Sequence, residues 1–235
     1  MRTPPPLSRG SRAGLGARGV HLLARAVARS LCRLDVRGRQ HVPTRGACLL
    51  IFNHVSNFDL PLIFAALPRT DVVALVAADR RDHPLSRFVD AAGGLWLRRG
   101  GRDRATLERA VGALARGCMV GLAPEGGRSP TGGLRRAHTG LAFLVERSGA
   151  PILPVAVTGA EQLHRSWRAL WRPQVRITFG APLSFDASPS GLSGKAFRRR
   201  ETDRCMVAVA GLLPERYRGF YGEDAAGALA RDRAS

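Results

Sequence analysis

The feature of this sequence that most limits its fold is an alternation of strand-like and helix-like segments that begins at Leu34. Short apolar runs follow one another, and stretches with helical periodicity separate them. This order predicts a single α/β domain with a mainly parallel sheet covered by helices. The predicted strands are 34–37, 47–53, 71–77, 95–97, 118–123, 152–158 and 175–179, and the predicted helices are 58–67, 85–92, 102–116, 139–148 and 193–213.

A basic N-terminal region precedes this pattern. Residues 1–19 are rich in Arg, Gly, Pro and Ser and are predicted to form a disordered arm. Over residues 20–34, arginines repeat every four residues beside an apolar stripe, which predicts a basic amphipathic helix. Such a helix lies in a membrane interface or docks on its own domain, and both interpretations stay open. The α/β domain is expected over 35–222, with a tail at 223–235. The apolar stripe holds Val20, Leu23, Val27, Leu31 and Leu34.

The formal charge is +19, from 37 Lys and Arg against 18 Asp and Glu. A field of that sign attracts nucleic acid, phospholipid head groups or phosphorylated substrates. The composition, with 45% apolar and 23% charged residues, is globular and excludes disorder over the whole length. The sequence contains no recognisable DNA-reading motif and no basic platform interleaved with aromatic residues, so a nucleic-acid partner is not favoured.

The cysteines and the hydropathy bear on where the protein works. The four cysteines are scattered without a C-x-x-C pair, which is typical of reduced thiols in a cytoplasmic protein. No run approaches the ~18 apolar residues of a membrane span. The basic N-terminus lacks a long apolar segment, so a signal peptide is not expected.

A candidate general base lies between the second predicted strand and the helix that follows. His54 stands at the carboxyl end of the strand, and Asp59 falls in the first turn of the helix, for which Asn57 is the predicted N-cap. The two side chains can fold back to within hydrogen-bond distance. A carboxylate on one imidazole nitrogen leaves the other nitrogen free to take a proton. Because no obvious nucleophile stands beside the pair, it is interpreted as a base that activates a substrate hydroxyl, although this spacing also fits an ordinary turn.

Two loops rich in glycine and arginine follow later strands, at 98–102 and 124–133. Ligands of parallel sheets bind at the carboxyl ends of the strands. Glycines let backbone amides approach a ligand closely, and arginines bind phosphate oxygens in a bidentate fork. Glu125 is expected to be held ionised among these arginines and to orient them. A solvated turn is the alternative interpretation of either loop.

Four sequence blocks occur in order, and together they resemble the glycerolipid acyltransferase family, whose best-known members are the 1-acylglycerol-3-phosphate acyltransferases. The family signature consists of NHxxxxD, GxxFxxR, FPEGTRS and an apolar block that ends in (V/I)P. The resemblance covers residues 34–179, and the stretch from Arg216 also looks like the C-terminal end of bacterial members. The blocks here are 53–59 (NHVSNFD), 93–99 (GGLWLRR), 124–129 (PEGGRS) and 150–155 (APILPV).

The resemblance implies a role for each matching residue. His54 would take the proton from the acceptor hydroxyl, and Asp59 would orient it. The acyl donor would be a thioester of coenzyme A or acyl carrier protein, and neither a metal nor another cofactor is expected. The acceptor would be a lysophospholipid, most of all 1-acylglycerol-3-phosphate, and Pro154 would help to shape the substrate pocket. The residues expected to bind the substrate, chiefly the phosphate of the acceptor, are Asn53, Arg99, Glu125, Gly126, Arg128 and Ser129.

The chain departs from the family pattern at four positions without losing the His-Asp pair. Ala123 stands in place of Phe, Gly127 in place of Thr, Trp96 at the block-two aromatic position, and Arg98 where an acidic residue is common. These changes could retune the acceptor site, so glycerol 3-phosphate, another lysolipid or a glycolipid stays open as the acceptor. In a different class, a non-catalytic basic protein that binds nucleic acid or lipid is the alternative. The remaining histidines singled out, His83, His138 and His164, are interpreted as surface or structural.

The expected location is the cytoplasmic face of the cell membrane, with the protein held there as a peripheral protein. The expected partner is an anionic membrane surface, which the basic arm and the amphipathic helix would contact. The pair Trp167 and Trp171, with arginines around them, is an alternative membrane contact, although a packed helix face is the favoured interpretation of this pair.

Overall fold

The computed structural model describes residues 15–98, 103–166, 171–184 and 194–222. Seven strands of these residues form one sheet, in the order β1-β7-β6-β2-β5-β3-β4. The strands are β1 (Arg33–Arg37), β2 (Cys48–Phe52), β3 (Val72–Ala77), β4 (Leu95–Leu97), β5 (Met119–Leu122), β6 (Ile152–Thr158) and β7 (Gln174–Phe179). The helices are α1 (Leu15–Leu31), α2 (Asp59–Ala66), α3 (Ser86–Ala91), α4 (Arg104–Ala115), α5 (Gly140–Ser148), α6 (Leu163–Ser166) and α7 (Gly194–Gly211). The predicted tail at 223–235, most of the predicted arm and Trp167 lie outside the described residues.

The sheet confirms the predicted α/β architecture. Its neighbours pair in parallel, except for β6 and β7, which are antiparallel. β2 lies at the centre between β5 and β6, and all five of its residues are buried. Such a strand, apolar on both faces, is typical of a parallel sheet covered on both sides. Because β2, β5 and β3 are parallel neighbours, their carboxyl ends meet at one edge of the sheet, where the loops after them lie side by side.

Helix α1 differs from its prediction in both extent and orientation. It begins at Leu15, inside the predicted disordered arm, and Leu34, predicted as its last residue, lies in β1. The side chains that α1 buries are His21 and Ala28, and the ring of His21 packs against Phe64 of α2. The predicted apolar stripe is divided between the two sides of the helix, because Val20 and Leu31 pack partly buried against the core whereas Leu23 and Val27 are exposed.

The exposed side of α1 carries an apolar patch. Leu22 and Leu23 are 67% and 65% exposed, and Val27 is exposed beside them. Arg25, one of the arginines that repeat every four residues, turns inward, and its Nε donates to the carbonyl of Ala65 at 3.0 Å. This bond satisfies the end of α2, since the last carbonyls of a helix attract cations. None of the helices in the described ranges is long and apolar enough to cross a bilayer.

Candidate active site

His54 and Asp59 come together as the spacing predicts. β2 delivers His54 one residue after Asn53, and Asp59 is the first residue of α2. His54 Nδ1 lies 2.8 Å from Asp59 Oδ2. The same oxygen accepts the backbone N–H groups of Val55 and Ser56, each at 2.8 Å. Three donors therefore converge on one carboxylate oxygen, which fixes the turn and the imidazole ring together.

Asp59 is completely buried. Burial raises the pKa of its carboxyl, and the hydrogen bonds from His54, Ser56 and Val55 oppose that rise. No described residue offers a hydrogen bond to Oδ1. Because Nδ1 of His54 faces this carboxylate, Nδ1 carries the proton and Nε2 is left as the basic nitrogen. His54 is partly exposed, so a hydroxyl can approach its ring.

The backbone on either side of the His54 side chain is anchored to the loop after β5. The N–H of His54 donates to Glu125 Oε1 at 2.9 Å, and the carbonyl of His54 accepts the N–H of Ser129 at 2.9 Å. Glu125 Oε2 accepts the N–H of Arg135 at 2.8 Å. The expected role of Glu125 was therefore wrong, since its oxygens bind main-chain amides and tie two loops together instead of orienting arginine side chains. Burial raises the pKa of the Glu125 carboxyl, and the two amides oppose that rise.

Asn53 does not stand at a substrate surface, contrary to its assignment as a substrate-binding residue. It is 2% exposed, its Nδ2 donates to the carbonyl of Val157, and its Oδ1 accepts the N–H of Val157. Asn57 was expected to cap α2, but the helix begins after Phe58 with no side-chain cap. The side chain of Asn57 instead lies 2.9 Å from Nε2 of His83.

The other four residues predicted to bind the substrate differ in where they lie. Ser129 is buried and bonded to His54 through its backbone, and Arg128 is exposed in a polar groove. Gly126 adopts φ +67°, and a Cβ built there would lie 2.7 Å from Cδ2 of His138. The left-handed backbone and the close approach of the His138 ring, which belongs to the same connection between β5 and α5, therefore favour glycine at this position. Arg99 lies outside the described residues.

An apolar cavity opens beside the His54 ring. It lies between the carboxyl ends of β3 and β4 and the helices α2 and α3. His83 lines this cavity, although the sequence analysis interpreted it as surface or structural. Its position just beyond β3 on the chain was the available signal, since residues after a parallel strand converge at this edge. The apolar lining includes Phe52, Leu60, Leu75, Phe88, Trp96 and Leu97.

A polar groove adjoins the apolar cavity, and both are lined by Arg80 and Gly127. Four arginines line the groove, together with Glu161 and Tyr217, and only Arg128 among these six residues was predicted as a ligand. The others come from loops far apart in sequence, so the groove exists only in the folded chain. The six residues are Arg80, Arg128, Arg135, Arg216, Glu161 and Tyr217.

The C-terminal turns hold one wall of this groove. The N–H of Leu134 donates to the carbonyl of Tyr217 at 2.9 Å, and the carbonyl of Leu134 accepts the N–H of Phe220 at 2.8 Å. The hydroxyl of Tyr221 accepts the N–H of Ala137 at 3.0 Å. Because Arg135 lies within this clasped segment and its amide binds Glu125, the C-terminal turns are linked to the loop that supports His54.

Known proteins resemble this chain in sequence and in fold. A family model described as Acyltransferase matches residues 33–158. The lyso-ornithine lipid O-acyltransferase of Pseudomonas aeruginosa is 34% identical over 126 residues, which are 53% of this chain and 47% of that protein. This chain thus matches about half the length of its curated relative.

Among solved structures, the 1-acyl-sn-glycerophosphate (LPA) acyltransferase of Thermotoga maritima has the same fold. The TM-score is 0.65 at 21% identity, and the match covers 87% of this chain and 82% of that one. At this level of identity the likeness shows the fold.

Proposed function

This chain belongs to the acyltransferase family, and we propose that it moves a fatty acyl group from an acyl thioester to a hydroxyl of a lysolipid. The observation that carries the proposal is that the buried carboxylate of Asp59 lies 2.8 Å from Nδ1 of His54, whose ring also lines an apolar cavity. The thioester is that of coenzyme A or acyl carrier protein.

In the proposed reaction His54 Nε2 accepts the proton of the acceptor hydroxyl as its oxygen attacks the thioester carbonyl. The new C–O bond forms, the C–S bond breaks, and the thiolate leaves. Asp59 holds the ring in one orientation and stabilises the imidazolium that forms. The anchoring of the His54 backbone by Glu125 and Ser129 supports this role, because a general base must be held in a fixed position.

The apolar cavity would hold the acyl chain next to the base. Each methylene that leaves water for such a cavity contributes about 0.8 kcal/mol. The adjoining groove would hold the headgroup of the acceptor, with arginines such as Arg128 on its anionic group. In this proposal the hydroxyl-bearing part of the acceptor lies where the two spaces meet, beside Arg80 and Gly127, which line both.

The proposed acceptor is a lysolipid with an anionic headgroup, and 1-acylglycerol-3-phosphate is the first candidate. By their names, the relative from Pseudomonas aeruginosa acts on a lyso-ornithine lipid and the protein from Thermotoga maritima on lysophosphatidic acid. Both are lysolipids, which supports this class of acceptor. We further propose that the protein works as a peripheral protein on the cytoplasmic face of a membrane, with the apolar patch of α1 against the lipid.

The test is acyl transfer by the purified protein to lysophosphatidic acid, lyso-ornithine lipid and glycerol 3-phosphate, with acyl-CoA and acyl-acyl carrier protein as alternative donors. Replacing His54 with Ala should lower turnover by about 10²–10⁴-fold without unfolding the protein, the usual range for a general base. His164→Ala is the matched control, because His164 is exposed on α6. No transfer to any acceptor, or near-normal turnover in folded His54→Ala protein, would overturn the proposal.

A further inference from the structure

The polar groove contains a carboxylate among its arginines. Arg80, Arg128, Arg135 and Arg216 line it, and so does Glu161, from the turn that follows β6. A groove that served only a phosphate monoester would be weakened by an acidic side chain, since the two negative charges repel each other. The presence of Glu161 therefore suggests a second, positive group on the ligand.

Glu161 is held in place by a buried partner. The hydroxyl of Tyr217 donates to Glu161 Oε1 at 2.6 Å, and Tyr217 is only 3% exposed. The same hydroxyl accepts the N–H of Gly159 at 3.3 Å, which fixes its position against β6. Burial, and then the nearby Glu161, raise the pKa of Tyr217, so its hydroxyl remains protonated as a donor.

The free side of Glu161 faces the groove. The residue is exposed, and within the described part of the chain Oε2 has no hydrogen-bond partner. Arg216 stacks on the ring of Tyr217, with its guanidinium carbon 4.9 Å from the ring centroid, and its Nη2 donates to the Tyr217 hydroxyl at 3.4 Å. The charge of Arg216 acts on Glu161 at longer range, without a direct ion pair between these two described residues. A carboxylate held through one oxygen and open at the other can accept a hydrogen bond from a cationic ligand.

We propose that the groove selects zwitterionic headgroups, in which Glu161 binds a primary ammonium and the arginines bind the anionic group. This inference rests on the proposed acyl transfer to a lysolipid, and it replaces 1-acylglycerol-3-phosphate by a zwitterionic lysolipid as the preferred acceptor. Two lipid chemistries carry this pair of charges, a phosphoethanolamine and an α-amino acid such as ornithine. Both place an ammonium a few bonds from an anionic group, and the two acceptors are compared separately.

The experiment measures KM and kcat for four acceptors in acyl transfer: lysophosphatidylethanolamine, its N-acetyl derivative, lyso-ornithine lipid and lysophosphatidic acid. Glu161→Gln should raise KM about tenfold or more for the acceptors with a free ammonium, since a charge-assisted hydrogen bond is lost. The N-acetyl derivative and lysophosphatidic acid should be unaffected or bind more tightly. Glu215→Gln is the matched control, because Glu215 is exposed on the turn that carries Tyr217 but does not line the groove.

Equal changes for all four acceptors would mean that Glu161 only shapes the groove, and the inference would be overturned. It would also be overturned if wild-type protein acylated lysophosphatidic acid but neither ammonium-bearing acceptor, although the proposed function would then stand. Calorimetric binding of short-chain lysophosphatidylethanolamine needs no turnover. Binding that depends on Glu161 in a protein without transfer activity would support the groove while the proposed function failed, and no binding would overturn the inference.

Discussion

The side-chain amide of Asn53 pairs with both main-chain polar groups of Val157, at 2.8 Å and 2.7 Å. Asn53 follows β2, and Val157 lies near the carboxyl end of β6, so the amide continues the pairing of the two strands past the last β2 residue. The next residue is His54. The position of the proposed base is thus fixed by an amide that never reaches the cavity.

Replacing Asn53 with Ala should therefore destabilise the fold as well as impair activity. The substitution leaves the buried N–H and carbonyl of Val157 without partners, which costs roughly 2–4 kcal/mol of unfolding free energy for the two groups. Denaturant unfolding measures this loss. Asn57→Ala removes a similar side chain at a partly exposed site and should cost far less. Equal losses would show that the Val157 pairing adds no stability.

Replacing Asp59 with Asn tests the charge of the carboxylate separately from its geometry. The amides of Val55 and Ser56 require an oxygen at the Oδ2 position, so the oxygen of the introduced side-chain amide should stay there and still accept from His54 Nδ1. The imidazolium then loses its negative partner, and kcat should fall by roughly 10²-fold with KM little changed. Steady-state kinetics at several pH values give both constants. Unchanged kcat would show that Asp59 only orients the ring.

Gly126→Ala should cost stability for two separable reasons. The backbone adopts φ +67°, which costs an Ala about 1 kcal/mol, and the new Cβ would meet the ring of His138. Gly132→Ala is the matched control, because its φ is +83° with no atom within 4 Å of the built Cβ. Thermal or denaturant unfolding should show that Gly126→Ala is less stable than Gly132→Ala.

The double variant Gly126→Ala, His138→Ala removes the ring and leaves only the backbone cost. The stability that the double variant loses relative to His138→Ala alone should match the stability that Gly132→Ala loses relative to wild type. A remaining excess would mean that the glycine is required for a reason other than the approach of His138.

Lowering the pH should reduce the stability of the fold through protonation of His21. Burial, and then Arg25, lower its pKa below the usual 6.5, so the unfolded chain binds more protons than the folded one as the pH falls past that value. Its contribution to stability is therefore complete above the unfolded pKa and is lost as the pH falls through the folded pKa. His21→Leu should flatten the dependence of the urea midpoint on pH between about pH 7 and pH 5. The exposed His164→Leu should leave the slope as in wild type, and a slope unchanged by His21→Leu would contradict the expectation.

The proposed membrane contact is tested by charge in the apolar patch of α1. Leu22→Glu with Leu23→Glu should reduce co-sedimentation with anionic liposomes, because both residues are mostly exposed and no core contact is lost. Phe220→Glu is the control, since Phe220 is also exposed, on the C-terminal turn. Substitution is preferable to deletion of 1–34, which would remove a helix that packs on α2. Equal binding by the α1 variant and wild type would show that the membrane contact lies elsewhere on the protein.

The sequence was sufficient for features that depend on local pattern. Periodicity gave all seven strands, two of them with identical bounds, and the spacing of His54 and Asp59 predicted their contact. It failed where a side chain serves a distant part of the chain. Glu125 binds the amide of His54, 71 residues away, and Asn53 binds Val157, 104 residues away. Both polar residues sit in blocks that suggest chemistry, and only the tertiary structure reveals their structural partners.

The pairing of β1 has a consequence for how the chain is made. β1 lies beside β7, with Arg33 opposite Gln174, so this part of the sheet joins positions about 140 residues apart in sequence. During synthesis β1 emerges from the ribosome well before β7. Until β7 has emerged, the backbone donors and acceptors of β1 lack this partner and remain open to other chains. A nascent chain that stalls before β7 therefore leaves this strand unpaired, and an unpaired strand is a template for pairing with another chain.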